Sequence, residues 1–303
     1  MLLVAGIFGL ASAVFAWHFT SASHVPIGPP PPELGATSVT FAATDGLSLS
    51  GWYAPARAER PTVVLLHGYR STRQSMLSRA LWLHAQGFGV LLYDARGCGA
   101  SAGSLRSVGY YERADLLGAL AFLRESGVQE AELVGVSQGG ATILLAAEQL
   151  PPLVRAVVCE SVYDELVQAV DRRYRALFGV PGWLGGALMV PIAERRLGFS
   201  LADVRPIDHI GHLPCPLLML AGELDTRTWP EDSRRLFDAA RAPKQLWMID
   251  GAAHQDLFEL AGAVYRERVL SFLMQPAQPV DRRGLSGHAS RVGAGKSSGS
   301  AHP

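Results

Sequence analysis

The 303-residue chain has little cysteine: only Cys98, Cys159 and Cys215 occur, and no CxxC pair is present. Three cysteines cannot form a framework of disulfides. Cys159 and Cys215 lie in apolar runs, where cysteine usually acts as a small core residue. We therefore expect a fold that does not depend on disulfides.

The chain also lacks an excess of charge of either sign, because 27 Lys and Arg residues balance 27 Asp and Glu residues. No long basic run occurs, which argues against nucleic acid as a partner. His209 and His212 are three apart with no other ligand cluster beside them, so a solvated loop is expected there and a metal site is not. The length allows one large domain or two small ones, and the apolar fraction of 49% is enough to bury a sizeable core.

Charge is absent from residues 2–17, and the first Lys or Arg of the chain is Arg57. The stretch is slightly short for a membrane span and slightly long for a signal-peptide core. We favour an uncleaved membrane anchor over residues 1–24, with the rest of the protein exported because nothing positive retains it. The alternatives are a signal removed near the small residue Ala16, which would give a secreted protein, or a buried core helix.

Two segments on either side of the main domain are predicted to be irregular. Residues 25–37 are rich in proline and are interpreted as a stiff spacer. Residues 276–303 are rich in Gly, Ser, Pro and Arg and have few large apolar side chains, so a disordered tail is predicted. The folded domain is expected over residues 38–275.

Short apolar runs in this domain are nearly continuous, which is typical of parallel strands covered on both faces. These runs lie at residues 62–66, 89–93, 133–136, 156–159, 217–220 and 245–249. Helical segments alternate with them, at residues 76–86, 110–126, 138–149, 230–240 and 256–272. Asp45-Gly46 between two earlier runs predicts an antiparallel hairpin. The alternation predicts an α/β fold with a mostly parallel central sheet and helices on both faces.

One stretch, residues 165–213, has no strand-like run. It contains large apolar side chains broken by Gly and Pro, among them Tyr174, Trp183 and Met189. Because it follows the candidate nucleophile described next, we predict a lid of short helices. Ordinary connecting helices are the alternative.

The candidate nucleophile is Ser137, in the sequence Gly135-Val136-Ser137-Gln138-Gly139. It lies where an apolar run gives way to a helical run. A sharp strand-to-helix turn presents a serine to a base, and flanking glycines are needed because side chains there would collide with neighbouring backbone.

His254 is the candidate base, because it follows the last strand-like run and so lies at the carboxyl edge of the sheet, where Ser137 also lies. Asp225 follows the preceding run and is the candidate carboxylate that orients this histidine. The chain order Ser–Asp–His is one of the orders that such triads take. Glu223, Glu160 and Asp250 are rival acids.

Two backbone amides are predicted to bind the oxyanion of the reaction. One is that of Gln138, directly after the nucleophile, and the other is that of Tyr69, in the turn after the run at residues 62–66. His67 in the same turn is expected to shape it by hydrogen bonding.

These blocks resemble the α/β-hydrolase superfamily of serine hydrolases over roughly residues 39–274. The resemblance rests on His67-Gly68-Tyr69, on residues 93–101, on the Ser137 turn, on residues 222–225 and on Gly251-Ala252-Ala253-His254. Residues 45–53 are similar to those of members that carry one N-terminal membrane segment. The resemblance implies an ester or thioester substrate, and it implies a structural role for residues 94–101. Cys98 lies within that block, and it is not expected to be the nucleophile because no catalytic base is placed for it.

The resulting hypothesis is a serine esterase or thioesterase that needs neither metal nor organic cofactor and acts on a small ester or acyl compound. A peptidase or amidase with the same triad is one alternative, and cofactor-free haloperoxidases share the fold. A catalytically silent, hydrolase-like binding protein is the alternative of a different class.

Overall fold

The structure is a computed structural model that describes residues 2–57, 59–179, 182–241 and 243–275. Within those ranges, the side chains of residues 2–8, 177, 178 and 182–188 are not described. The predicted tail at residues 276–303 lies outside the described part of the chain. The side chains of residues 2–8, in the first half of the predicted anchor, are also outside it.

Helices and strands alternate along the described chain. The helices are α1 (Leu2–Thr20), α2 (Leu77–Ala85), α3 (Glu112–Glu125), α4 (Gln138–Leu145), α5 (Leu166–Phe178), α6 (Gly182–Leu197), α7 (Pro206–His209), α8 (Pro230–Ala239) and α9 (Leu257–Leu273). The strands are β1 (Ser23–His24), β2 (Thr37–Ala42), β3 (Ser48–Ala54), β4 (Thr62–Leu66), β5 (Gly89–Tyr93), β6 (Cys98–Gly99), β7 (Ala131–Val136), β8 (Val154–Glu160), β9 (Leu217–Gly222) and β10 (Lys244–Ile249). Short 3-10 helices cover Pro32–Leu34, Arg73–Met76, Ala147–Gln149, Leu201–Asp203 and Ile210–His212.

Eight strands form the central sheet, in the order β10-β9-β8-β7-β4-β5-β3-β2. The six strands from β10 to β5 are parallel, whereas β3 pairs antiparallel with both β5 and β2. The hairpin of β2 and β3 turns at Asp45-Gly46, where Gly46 has a φ of 87°. The predicted α/β fold with an antiparallel opening is confirmed.

The sheet is buried on both faces, as strand β4 illustrates. Successive side chains of a strand point to opposite faces. Val64 and Leu66 join the core beneath α3 and α4, and Val63 and Leu65 join the core beneath α2 and α9. Burying an aliphatic side chain of this size contributes about 1.5–3 kcal/mol, so both layers stabilise the strand in its register.

The N-terminal stretch forms α1, and its described half packs against the domain. Ser12, Ala16 and Thr20 are fully buried, whereas Leu10, Val14 and Trp17 are more than half exposed. Among the described residues, no helix has both the length and the apolar character needed to cross a membrane. The face of α1 that carries Ser12, Ala16 and Thr20 therefore packs as the alternative of a buried core helix expects. The face that carries Leu10, Val14 and Trp17 is apolar and exposed.

The segment predicted as a lid contains α5 and α6, which pack on each other and on α1. Tyr174 of α5 and Met189 of α6 are buried. His209 and His212 lie in α7 and the 3-10 helix after it, so the expected solvated loop was wrong. Instead, Nδ1 of His212 lies 3.0 Å from Oε1 of Glu148, in a close contact without hydrogen-bond geometry.

Candidate active site

Ser137 lies in the turn between β7 and α4, with φ 52° and ψ −112°. A non-glycine residue with such a φ is strained by about 1–3 kcal/mol and persists only where the surroundings enforce it. Its backbone N–H donates to the carbonyl oxygen of Glu160 on β8 at 2.7 Å, which fixes the turn to the neighbouring strand. The side chain is partly exposed at the carboxyl edge of the sheet.

The glycines around Ser137 are required by close backbone packing. A Cβ on Gly135 would lie 2.6 Å from the carbonyl carbon of Gly139, and a Cβ on Gly139 would lie 2.3 Å from the oxygen of Leu66. A Cβ on the next residue, Gly140, would meet the side chain of Val162 at 2.4 Å. The turn between strand and helix can therefore be this tight only without side chains at these positions.

His254 and Asp225 are joined by a hydrogen bond. Nδ1 of His254 lies 2.8 Å from Oδ2 of Asp225, although the two residues are on different loops after β10 and β9. The carboxylate is fully buried, and the imidazole is 19% exposed. The Asp225 acceptor favours the tautomer with a proton on Nδ1, which leaves Nε2 free to accept a proton.

Asp225 is held as a carboxylate by its neighbours. Burial raises its pKa, but hydrogen bonds from His254 and Thr228 outweigh this and hold the pKa below its usual value. Oδ1 accepts from the backbone N–H groups of Arg227 and Thr228 at 2.8 and 2.9 Å. Oδ2 also accepts from the Thr228 hydroxyl at 2.7 Å, so both oxygens have fixed partners.

The rival acids lie elsewhere. Glu160 is buried and accepts from Arg79 at 2.7 Å and from the hydroxyl of Tyr265. Glu223 and Asp250 are exposed, and the hydrogen bonds of His254 do not include either of them. Of the four carboxylates considered from the sequence, the structure brings only Asp225 to His254.

The turn after β4 lies directly against the nucleophile. A Cβ on Gly68 would be 3.7 Å from Cβ of Ser137. The backbone N–H of the next residue, Tyr69, therefore lies close to the serine. Within the described chain, the amides of Tyr69 and Gln138 donate to no protein acceptor. Two free N–H groups beside a serine are what a developing oxyanion needs.

His67 stabilises this turn through hydrogen bonds at both of its ring nitrogens. Its Nε2 accepts the backbone N–H of Ala95 at 3.0 Å, so its Nδ1 carries the proton and donates to the oxygen of Gly68 at 2.8 Å. Burial lowers the pKa of His67 and keeps the ring neutral. Both nitrogens are occupied, so His67 holds the shape of the turn, as expected.

The block at residues 94–101 is a tight loop organised by Asp94. This carboxylate accepts from the guanidinium of Arg73 at 2.8 Å and from the N–H of Ala100 at 2.9 Å. Gly99 has a φ of 49°, and a Cβ there would lie 2.2 Å from the same carboxylate. Cys98 is buried, and burial raises its pKa to about 12, so its thiol is not reactive.

Ser137 and His254 line one cavity of about 680 Å³, together with Gly68, Tyr69 and Gln138. Its walls also include apolar side chains from four parts of the chain: Phe15, Phe19, Met76, Val108, Leu166 and Val170. Backbone strain concentrates here, because Arg70 and Val108 on the same walls have φ values of 57° and 53°. A cavity of this size accommodates a small organic molecule in contact with the serine.

The sequence did not predict three features of the site. α1 contributes Phe15, His18 and Phe19 to the cavity, although the anchor interpretation placed that helix elsewhere. Thr228 holds Asp225, and Arg79 lines the cavity and pairs with Glu160 and Asp256, at 2.7 Å from each. No short motif marks any of these, because each depends on contacts between residues far apart in the chain. Among the described residues, no group of three His, Cys, Asp or Glu side chains could hold a metal ion.

A family model described as alpha/beta hydrolase fold matches residues 61–190. Uncharacterized protein Rv2307c of Mycobacterium tuberculosis is 31% identical over 267 residues, which are 86% of this chain and 86% of the relative. Uncharacterized protein YfhR of Escherichia coli strain K12 is 28% identical over 259 residues, 82% of this chain and 84% of the relative.

A solved structure, the esterase Pf2001 of Pyrococcus furiosus, superimposes with a TM-score of 0.70. The sequences are 22% identical, and the match covers 84% of this chain and 99% of that one.

Proposed function

This chain belongs to the α/β-hydrolase fold family, and from that premise we propose that it is a serine hydrolase that cleaves carboxylic esters or thioesters. The observation that carries the proposal is the convergence of three elements on one cavity. These are a strained serine turn, an imidazole bonded to a buried carboxylate, and a turn with a free amide beside the serine. Each part has a defined role in acyl transfer.

The reaction follows from these positions. Nε2 of His254 takes the proton of Ser137 as its oxygen attacks the carbonyl carbon, and Asp225 stabilises the resulting imidazolium. The amides of Tyr69 and Gln138 receive the oxyanion. The imidazolium then protonates the leaving alcohol or thiol, which departs and leaves an acyl-Ser137 ester. Water, deprotonated by His254, attacks this ester, and the imidazolium then returns that proton to Oγ of Ser137 as the acid is released.

The test compares the purified protein with Ser137→Ala on p-nitrophenyl butyrate and with a fluorophosphonate probe. Ser137→Ala should lower turnover by about 10⁶-fold and abolish labelling. Ser161→Ala is a matched control, because Ser161 also follows a strand with a positive φ and, within the described part of the chain, its buried Oγ has no hydrogen-bond partner. Equal turnover by the parent and Ser137→Ala would overturn the proposal.

The same proteins distinguish the alternative activities. Faster cleavage of a p-nitroanilide than of the matching ester would favour a peptidase or amidase. Absence of both turnover and probe labelling in a folded parent protein would favour a silent binding protein. Thioesters of the same acyl group belong in the same series, since the mechanism cleaves them by the same steps.

We also propose that the protein associates with a membrane through residues 1–24, with the catalytic domain exported. Support comes from the exposed apolar face of α1, where Leu10, Val14 and Trp17 lie at helical spacing on one side. Fractionation of producing cells, combined with mass spectrometry of the mature N-terminus, separates this proposal from secretion after cleavage. Recovery of the whole chain in the soluble fraction would contradict it.

A further inference from the structure

The end of α1 forms one wall of the cavity that holds Ser137 and His254. Phe15, His18 and Phe19 line it, and the lining also includes Leu166 and Val170 of α5. The central sheet begins at β2, so this wall comes from a segment that precedes the sheet in the chain.

Hydrogen bonds hold the last turn of α1 against the turn that carries the candidate oxyanion amide. The hydroxyl of Tyr69 donates to the carbonyl oxygen of Phe19 at 2.8 Å. Arg70 donates to the carbonyl oxygen of His18 at 3.0 Å, and Arg106 donates to the same oxygen at 3.1 Å. The last carbonyls of a helix lack partners within the helix and carry partial negative charge, so cationic donors stabilise this contact.

Aromatic packing fixes the two phenylalanine rings. The ring centroid of Phe19 lies 5.5 Å from that of Tyr69, and Phe15 stacks on Phe19 at 6.4 Å. Phe15 meets Tyr174 of α5 edge to face at 6.0 Å. The two rings therefore connect the turn at Tyr69 with helix α5. Contacts with both elements fix the positions of the rings.

We propose that Phe15 and Phe19 are specificity-determining residues that limit the length of the aliphatic group of the ester. This inference rests on the proposed function. The rings are rigid, they lie in the cavity wall, and their replacement by alanine opens room that a longer chain can fill. Because shape in an apolar pocket discriminates by size alone, the effect is on chain length and not on the chemistry at Ser137.

The experiment measures kcat/KM of the parent, Phe15→Ala and Phe19→Ala on two ester series. One series varies the acyl chain of p-nitrophenyl esters from two to twelve carbons, and the other varies the alcohol chain of acetate esters over the same range. In at least one series, each variant should raise the ratio of long-chain to butyl-length rates by about tenfold. The series that shifts identifies which side of the ester the rings contact.

Trp17→Ala is the matched control, because Trp17 is an aromatic residue of the same helix that is 63% exposed and does not line the cavity. Its chain-length ratios should equal those of the parent. Phe15→Leu and Phe19→Leu provide smaller changes in case the alanine variants unfold at assay temperature, and they should shift the ratio in the same direction.

Ratios unchanged within about twofold in both series, in folded variants, would overturn the inference and leave the proposed function intact. Failure of the proposed function is a different result, in which the parent and Ser137→Ala hydrolyse butyrate at the same rate. A shift of the same size in Trp17→Ala would also overturn the inference, since it would indicate a general loosening of α1.

Discussion

The substitution Asp225→Asn tests the electrostatic arrangement of the candidate triad without changing its shape. Oδ1 of Asp225 accepts two backbone N–H groups, from Arg227 and Thr228. An asparagine must therefore keep its amide oxygen at this position, because the opposite orientation would place NH₂ against two N–H donors. Its NH₂ then occupies the position of Oδ2, 2.8 Å from Nδ1 of His254.

The consequence is the wrong tautomer of the base. An NH₂ donor at this distance requires Nδ1 of His254 to accept, so the ring proton moves to Nε2. A protonated Nε2 cannot take the proton of Ser137, and no carboxylate remains to stabilise an imidazolium. We expect kcat to fall by about 10⁴-fold, which corresponds to about 5.5 kcal/mol of lost transition-state stabilisation.

The assay is steady-state hydrolysis of p-nitrophenyl butyrate, with the thermal midpoint of unfolding measured on the same preparation. KM should change little, because Asp225 is buried behind His254 and does not line the cavity. Glu223→Gln is the matched control, since it neutralises an exposed acid two residues away, and its kcat should equal that of the parent. A folded Asp225→Asn variant with kcat within tenfold of the parent would refute the reasoning.

Two further predictions concern buried charge. Arg79→Met should leave Glu160 charged and unpaired, costing about 3–5 kcal/mol and lowering the unfolding midpoint by about 10 °C; adding Glu160→Gln should restore much of this, and no recovery would contradict the pairing. Burial raises the pKa of Glu132 from 4.5 to about 8, so the folded state keeps a proton that the unfolded chain releases, and stability falls as pH rises from 4.5 to about 8. Glu132→Gln should therefore raise the unfolding midpoint more at pH 8 than at pH 5, whereas an equal effect at both would contradict the assignment.

The local pattern of the sequence was sufficient to locate the sheet. β4 and β5 have the predicted bounds, and β8 and β9 extend the predicted runs by two or three residues. These segments are apolar on both faces, and such a run has few stable alternatives to a covered parallel strand. The helices were predicted within a few residues, since their apolar spacing is also a local property.

The Gly-x-Ser-x-Gly pattern identified the serine turn for a steric reason. The two contacts that exclude side chains, at Gly135 and Gly139, are formed within the turn and with the adjoining strand. The sequence favoured Asp225 over Glu223, but two acids that are two residues apart are separated only by knowing which one faces His254. The loop after β9 decides this by burying Asp225 against Thr228 and leaving Glu223 exposed.

α1 shows most clearly what the sequence could not decide. Its composition fits a membrane span, a signal or a buried helix, because all three require apolar residues. Only the folded arrangement places Phe15 and Phe19 at the cavity and joins the end of the helix to Tyr69 and Arg70.

The sequence by itself determined which segments become strands and helices and where the serine turn lies, since adjacent residues set periodicity and backbone freedom. The tertiary structure alone decided which acid meets His254, which charges are paired at the cavity and which N-terminal helix contributes to its wall. Those outcomes depend on contacts between residues that are tens to hundreds of positions apart, and such contacts form only when the whole sheet and its helices pack together.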